Sequence, residues 1–551
     1  MVNFDHYAYH YPSRRRAVYA KKGMVASSHP KASEAGLRML EKGGNAIDAC
    51  VAMAIMLPLV EPAATTYGSD NFAIVWAKDK LHGMSSSGWS PKGLTPEYCA
   101  GKGYKVKIPM GGWDCTTLPG CVAGWIKLLK EFGTMTLAEV AAPAIEVAEE
   151  GYPITPYVQG SFAWRKDWLE ANLTPELAKN FEAEYFPNPG GTAPEPGQVV
   201  KHPNMARFLK EIVETNGDSL YKGGKIAQAI VRESKATGGL WEMEDLEGFE
   251  PVMHDPLRAE YHGYEICELP PNGQGITALI AANILNKYEF HPAAYEDVRT
   301  KHLQMEAIKL AFADAKAYVA DPDYMTKVTC DMLLDPKYTE IRRNLIDENK
   351  AQDFKAGQPD ACDTCYFCAA DTKGNMISMI QSCYNCYGSG VTIPEYGLTL
   401  QSRACTFEMT EGHPNQVGGH KRPYQTIIPA FLMKDGRPVG PFGIMGGYNQ
   451  PQAHIQVAMN MIDFKMNPQA ALDAPRFCWT SGKNFDIESG FKQSTLDGLQ
   501  FKGHALTVKE PFGGGYCDRP FGRGQVIILD EEQNTLIGGS DPRGDGCVIG
   551  L

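Results

Sequence analysis

Thr364 occupies the position in this chain with the most chemistry to offer. It follows a polar, loop-like stretch at 347–363 and stands just before Tyr366-Phe367-Cys368-Ala369-Ala370-Asp371, the first strand of a predicted hairpin that turns through Lys373-Gly374-Asn375 into Met376-Ile377-Ser378-Met379-Ile380-Gln381-Ser382. A cut in front of Thr364 would give the threonine a free α-amine. In model peptides that amine titrates at about pH 7.7 to 8, so near neutral pH it can accept the proton of the threonine hydroxyl. One residue would then supply both nucleophile and base. The competing reading of the same residue is an ordinary threonine at the start of a strand.

The second candidate is the cysteine run, Cys362, Cys365 and Cys368 followed by Cys383 and Cys386, whose C-x2-C spacing resembles that of soft-metal or cluster ligands. In an extended strand, however, residues three apart point to opposite faces, so Cys365 and Cys368 would diverge. The alternative is small buried thiols filling a core. Fifteen cysteines in a chain that opens without an export signal fit reduced thiols better than a disulfide framework. P-loop, HExxH, GxSxG and dinucleotide signatures are missing from the sequence.

With 551 residues, 43% of them hydrophobic and 21% charged, the chain can bury a large core and is neither a charged coil nor a fibrous repeat. Its net charge of −12 opposes binding to phosphate backbones or anionic lipid. Arg14-Arg15-Arg16 with Lys21-Lys22 reads as a solvated N-terminal arm. The longest membrane-like run, 49–60, has 12 residues and stops at Glu61-Pro62, short of the roughly 20 that span a bilayer. A cytoplasmic, soluble protein without nucleic-acid or membrane partners is expected.

Around these candidates the pattern alternates between helix and strand. Ser33 is expected to cap a helix ended by Gly43-Gly44, and Asn45 a second, almost wholly apolar helix over 46–57 that Pro58 and Pro62 terminate. Helices are also predicted over 137–150, 205–215, 274–286 and 302–319, with strands at 71–77, 81–87 and 263–268. Strand pairs are predicted at 426–433 with 437–444 and at 525–529 with 535–539, and irregular loops at 186–197 and 347–363.

Several long blocks, in order, resemble the γ-glutamyltransferase superfamily of N-terminal-nucleophile hydrolases from about residue 12 to the end. They include GMVASSHPKASEAGLRMLEKGGNAIDACVA at 23–52, LPGCVAGW at 118–125, PPNGQG at 270–275, MEAIKLAFADAKAYVADP at 305–322 and GGSDPRGDG at 538–546. The chain is most similar to the subgroup containing oxamate amidohydrolase and glutathione hydrolase-like proteins, through LTLQSRA at 398–404, HKRPYQTIIPAF at 420–431 and MGGYNQPQAH at 445–454.

The resemblance implies an α+β fold, a four-layer αββα sandwich, and a precursor that cuts itself between Asp363 and Thr364. The 1–363 and 364–551 pieces would remain intertwined in one domain. It implies Thr364 as nucleophile, Ser382 as the hydroxyl that hydrogen-bonds it, and Gly446 and Gly447 as oxyanion donors, where glycine lets backbone N–H groups approach closely. A glycine turn and a solvent-facing serine are the plainer readings of those positions.

The family's arginine, asparagine and aspartate for a γ-glutamyl substrate fall on Ser87, Tyr384 and Thr406, and its paired serines on Gln425-Thr426. Tyr384, Gln425 and Thr426 are therefore expected to line an altered substrate pocket, and Arg403 to anchor a small carboxylate or to serve as a structural ion-pair arginine. The expected activity is a threonine amidohydrolase acting on a small, oxamate-like amide through an acyl-enzyme, without cofactor or metal. Glutathione or γ-glutamyl hydrolysis in a rearranged pocket, and a Cys-rich metal or redox protein, are the alternatives. The expected partners are the amide substrate and a second copy in a homodimer of processed heterodimers.

Overall fold

A computed structural model describes residue 11 and residues 15–354, 364–511 and 520–551 of the chain. Two seven-stranded sheets dominate it. One runs, edge to edge, through Val18–Ala20, Thr535–Ser540, Arg523–Asp530, Arg437–Met445, Ala430–Lys434, Tyr264–Glu268 and Leu257–Tyr261. The other runs through Cys547–Gly550, Gly23–Ser27, Cys365–Asp371, Met376–Ser382, Asp70–Ala77, Lys80–Ser86 and Val252–His254. Neighbouring strands are antiparallel in both.

The sheets pack face to face over a shared apolar layer that includes Phe72, Tyr366, Ile380, Phe431 and Ile527. Helices Pro30–Glu41, Ala46–Val60, Cys121–Phe132 and Leu137–Glu150 cover the outer face of the second sheet. Helices Gly275–Leu285, Val298–Tyr318 and Gln450–Ile462 cover that of the first. This is the four-layer αββα sandwich. Each sheet combines strands from both sides of position 363, and among the described residues no helix is long and apolar enough to cross a membrane.

The strand Cys365–Asp371 shows why its sequence lacks a polar face. Cys365, Phe367 and Ala369 enter the helix-side core, while Tyr366, Cys368 and Ala370 enter the layer between the sheets, so both faces are dry. Cys365 and Cys368 thus point apart, as the facing argument requires. Among the described residues, the one group spaced like metal ligands is His302, Glu306 and His504, without a cysteine. Cys362 lies outside the described residues. Cys365, Cys368 and Cys383 are free thiols, and Cys386 is disulfide-bonded.

Three local expectations are corrected. The first helix starts after His29, whose Nδ1 accepts from Lys31 N at 3.2 Å, with Pro30 opening the first turn; Ser33 lies inside and donates to Cys547 O at 3.0 Å. The second helix does begin at Asn45, in a capping box with Asp48, but it runs through Pro58 to Val60. Proline at 58 leaves the Ala54 carbonyl without its helical donor, and Gln381 Nε2 fills that place at 3.1 Å. Arg15 is not solvated: its Nη1 donates to Asp541 O at 2.9 Å and Gly546 O at 2.8 Å.

Candidate active site

Thr364 sits one residue before the central strand, and the ladder decides what it faces. Cys365 pairs with Gln381 across the hairpin, which brings Thr364 opposite Ser382. Thr364 Oγ1 donates to Ser382 Oγ at 3.1 Å. Gln450 Nε2 reaches the same Oγ1 from the other sheet's helix at 3.4 Å, while Gln450 Oε1 accepts from Ile428 N at 3.0 Å. In the uncut chain Thr364 is fully buried. Asp363, the other half of the expected processing site, lies outside the described residues.

Ser382 Oγ is a point of convergence. It also accepts from Tyr384 N at 2.9 Å and from Arg403 Nη2 at 3.3 Å. Tyr384 holds a left-handed backbone, φ +75°, which turns its ring under the Arg403 guanidinium, 4.4 Å from ring centre to charge. Arg403 lies in a short 3-10 turn, Arg403–Thr406, is wholly buried, and donates through Nη1 to Thr426 Oγ1 at 2.6 Å. Thr406, at the position of the family's aspartate, closes that turn by donating to Arg403 O and Tyr424 O.

The next strand of the sheet contributes a group that reading the sequence missed. Asp70 pairs with Ser382 in the ladder. Its Oδ1 accepts from Gly88 N at 2.9 Å and Gln401 Nε2 at 2.7 Å; its Oδ2 accepts from Gln425 Nε2 at 2.7 Å and Ser87 Oγ at 3.3 Å. Burial pushes the carboxyl up to about 6, against the pull of these donors and of the Arg403 charge. Gln401 Oε1 and Gln425 Oε1 are buried acceptors without a hydrogen-bond partner. No motif or spacing marks Asp70, which enters the site only as the ladder partner of Ser382.

Gly446 and Gly447 follow strand Arg437–Met445, which lies against the hairpin that Thr364 heads so closely that a Cβ on Gly443 would sit 2.4 Å from the Tyr366 ring. Gly446 has φ +136°, and a Cβ there would come within 3.1 Å of Gly522 Cα. Gln274 Nε2 fixes the turn by donating to Gly447 O at 2.8 Å and Thr426 O at 2.7 Å. Gln450 follows three residues after Gly447, so the chain passes directly from the glycine pair to the residue touching Thr364.

Thr364, Ser382, Tyr384, Arg403 and Thr426 therefore form one connected chain of contacts. Gln425 joins it through Asp70, and Gly446-Gly447 through Gln274 and Gln450. None of Gln274, Gln401 and Gln450 was singled out from the sequence, since a buried glutamine reads like any polar residue until its partners are known.

Two facing antiparallel sheets between helices, with a hydroxyl residue heading the central hairpin, define the N-terminal-nucleophile hydrolase class. The family model described as gamma-glutamyltranspeptidase matches residues 32–551, and the chain belongs to that family. It is 34% identical to the glutathione hydrolase-like YwrD proenzyme of Bacillus subtilis, over 97% of this chain and all of that one. It is 28% identical to the oxamate amidohydrolase proenzyme of Klebsiella pneumoniae, over 96% of this chain and 98% of that one. A crystal structure of cephalosporin acylase from Bacillus halodurans is similar at a TM-score of 0.93 and 43% identity, covering 100% of this chain and 99% of that one. The chain is an enzyme of this family's amidohydrolase and acylase kind.

Proposed function

We propose that this chain is a self-processing N-terminal threonine amidohydrolase acting on small amides whose acyl group bears a carboxylate, as in oxamate. The observation that carries the reading is the Thr364 hydroxyl, held on Ser382 at 3.1 Å, with Arg403 on the same serine. In maturation the Thr364 hydroxyl attacks the Asp363 carbonyl carbon, the C–N bond breaks with a proton passing to the threonine nitrogen, and water hydrolyses the resulting ester. That leaves an Asp363 carboxylate and a free α-amine on Thr364, in pieces of 363 and 188 residues.

In turnover the same hydroxyl gives its proton to the α-amine as it attacks the substrate carbonyl, and the N–H groups of Gly446 and Gly447 receive the oxyanion. Losing one such donor costs acyl-transfer enzymes about 3 kcal/mol. The α-amine then protonates the leaving amine, and water resolves the acyl-enzyme. Arg403 supplies the charge that favours a carboxylate-bearing acyl group.

A second reading, γ-glutamyl hydrolysis, has a specific observation in its favour. Asp70 and the partnerless oxygens of Gln401 and Gln425 lie beside Arg403, a set that suits an ammonium next to a carboxylate. One experiment tests both. Purified protein should resolve by mass into two pieces, the smaller starting at Thr364, and Thr364→Ala should remain one chain. Incubation with oxamate should release ammonia and oxalate, whereas glutamate release from a γ-glutamyl anilide would select the second reading. Wild-type protein that stays uncut yet hydrolyses amides would overturn the mechanism.

A further inference from the structure

We propose that Arg403 and Asp70 act as an opposed charge pair that sets the basicity of the Thr364 α-amine, the cation lowering it and the carboxylate raising it. The inference rests on Thr364 being the mature N-terminal nucleophile and goes beyond substrate anchoring for Arg403.

The geometry is short and closed. Thr364 Oγ1 donates to Ser382 Oγ, and Arg403 Nη2 donates to that same oxygen, so the guanidinium stands two hydrogen-bond lengths from the nucleophile. Asp70 is the direct ladder partner of Ser382 on the opposite side from Thr364. Arg403, Asp70 and Thr364 are all fully buried, so water screens little of either field.

Among the described residues, the charges next to Cys365 are already paired. Cys365 Sγ donates to Glu61 Oε2 at 3.3 Å, and Arg523 Nη1 holds Glu61 Oε1 at 3.0 Å. Tyr384 places its ring under Arg403, and Gln450 brings an uncharged amide from the facing sheet. Arg403 and Asp70 are thus the nearby groups whose removal leaves a net field at the amine.

A cation at this separation disfavours the ammonium, and at an effective dielectric of about 20 the expected effect is roughly one to two pH units. At the ordinary value for such an amine, about 7.7 to 8, only a minor fraction is unprotonated at about pH 7 and ready to take the hydroxyl's proton. Arg403 corrects this. Asp70 limits the correction so that the amine can still reprotonate a leaving group.

The experiment is a pH titration of the Thr364 Cα and Cβ resonances in processed protein labelled with 13C-threonine, after mass spectrometry has confirmed the two pieces. Relative to wild type, Arg403→Met should raise the titration midpoint by about one unit or more, Asp70→Asn should lower it by a similar amount, and Arg403→Lys should leave it nearly unmoved. A role in folding alone would not move the two midpoints in opposite directions. If Arg403→Met remains uncut, Asp70→Asn decides: a midpoint unchanged or raised overturns the proposal. If wild type itself is not cut, the nucleophile assignment fails first. If wild type is cut and the variants do not shift, only the charge-pair inference fails.

Discussion

Ser382 receives three donors on one oxygen, from the Thr364 hydroxyl, the Tyr384 N–H and the Arg403 guanidinium. In the proposed mechanism such a residue orients the Thr364 hydroxyl without reacting. Ser382→Ala should therefore slow self-cleavage by about 10 to 100-fold, equivalent to roughly 1.4 to 2.7 kcal/mol in the barrier, whereas Ser382→Thr should keep most of the rate. A time course of precursor disappearance on a denaturing gel reads this directly, and equal rates for Ser382→Ala and wild type would remove the serine from the mechanism. Ser382 could be placed from family blocks, because its distance along the chain from Thr364 is set by one hairpin. Asp70 lies 294 positions upstream of Thr364, and only strand pairing brings it alongside.

Gln381 ties strand Met376–Ser382 to helix Ala46–Val60. Gln381 gives Nε2 to Ala54 O and Thr65 Oγ1, both at 3.1 Å, and takes Trp125 Nε1 on Oε1 at 2.9 Å. Gln381→Met would strand a buried carbonyl and a buried indole N–H, at a cost of about 2 to 4 kcal/mol. Urea denaturation should show the midpoint fall with an unchanged slope. Adding Pro58→Ala to Gln381→Met should recover part of the loss, since an alanine N–H at 58 can return the helical hydrogen bond to Ala54 O. Failure of that rescue would show that the glutamine does not stand in for the missing donor.

The sheets explain why cutting need not separate the pieces. Gly23–Ser27 is held between Cys365–Asp371 and Cys547–Gly550, and Arg437–Met445 lies in the same sheet as Tyr264–Glu268, so parting them would expose whole ladders. After processing, the two polypeptides are expected to run together on native size exclusion and apart only in denaturant.

Stability should also depend on pH. Burial lowers His29 and His504 to about 3, with neighbouring lysines adding to the effect. Below their unfolded value of about 6.5 the unfolded chain binds protons that the folded chain refuses. Each imidazole then costs about 1.4 kcal/mol per pH unit until about pH 3. Asp70, raised to about 6, works the other way between about pH 6 and 4 and offsets one of the two. Calorimetry should find Tm falling from pH 6.5 to pH 4, with a shallower fall in His504→Gln. A flat profile would refute this account.

Much of this architecture was legible in the sequence because local patterns report local physics. The short, largely apolar runs at 366–370 and 376–380, the apolar run after Asn45 and the turn at Lys373-Gly374-Asn375 specify strands, a buried helix and a hairpin wherever they occur. The family blocks located Thr364 and the glycine pair within that pattern. Tertiary packing decided the rest: His29 rather than Ser33 at the head of the first helix, Pro58 inside the second, Arg15 docked, Asp70 beside Arg403. The His29 cap is local, closed by Lys31 N two residues on, but the other three outcomes depend on a hydrogen bond or charge supplied from a distant part of the chain, and no propensity or spacing along the sequence encodes which side chain arrives to complete it.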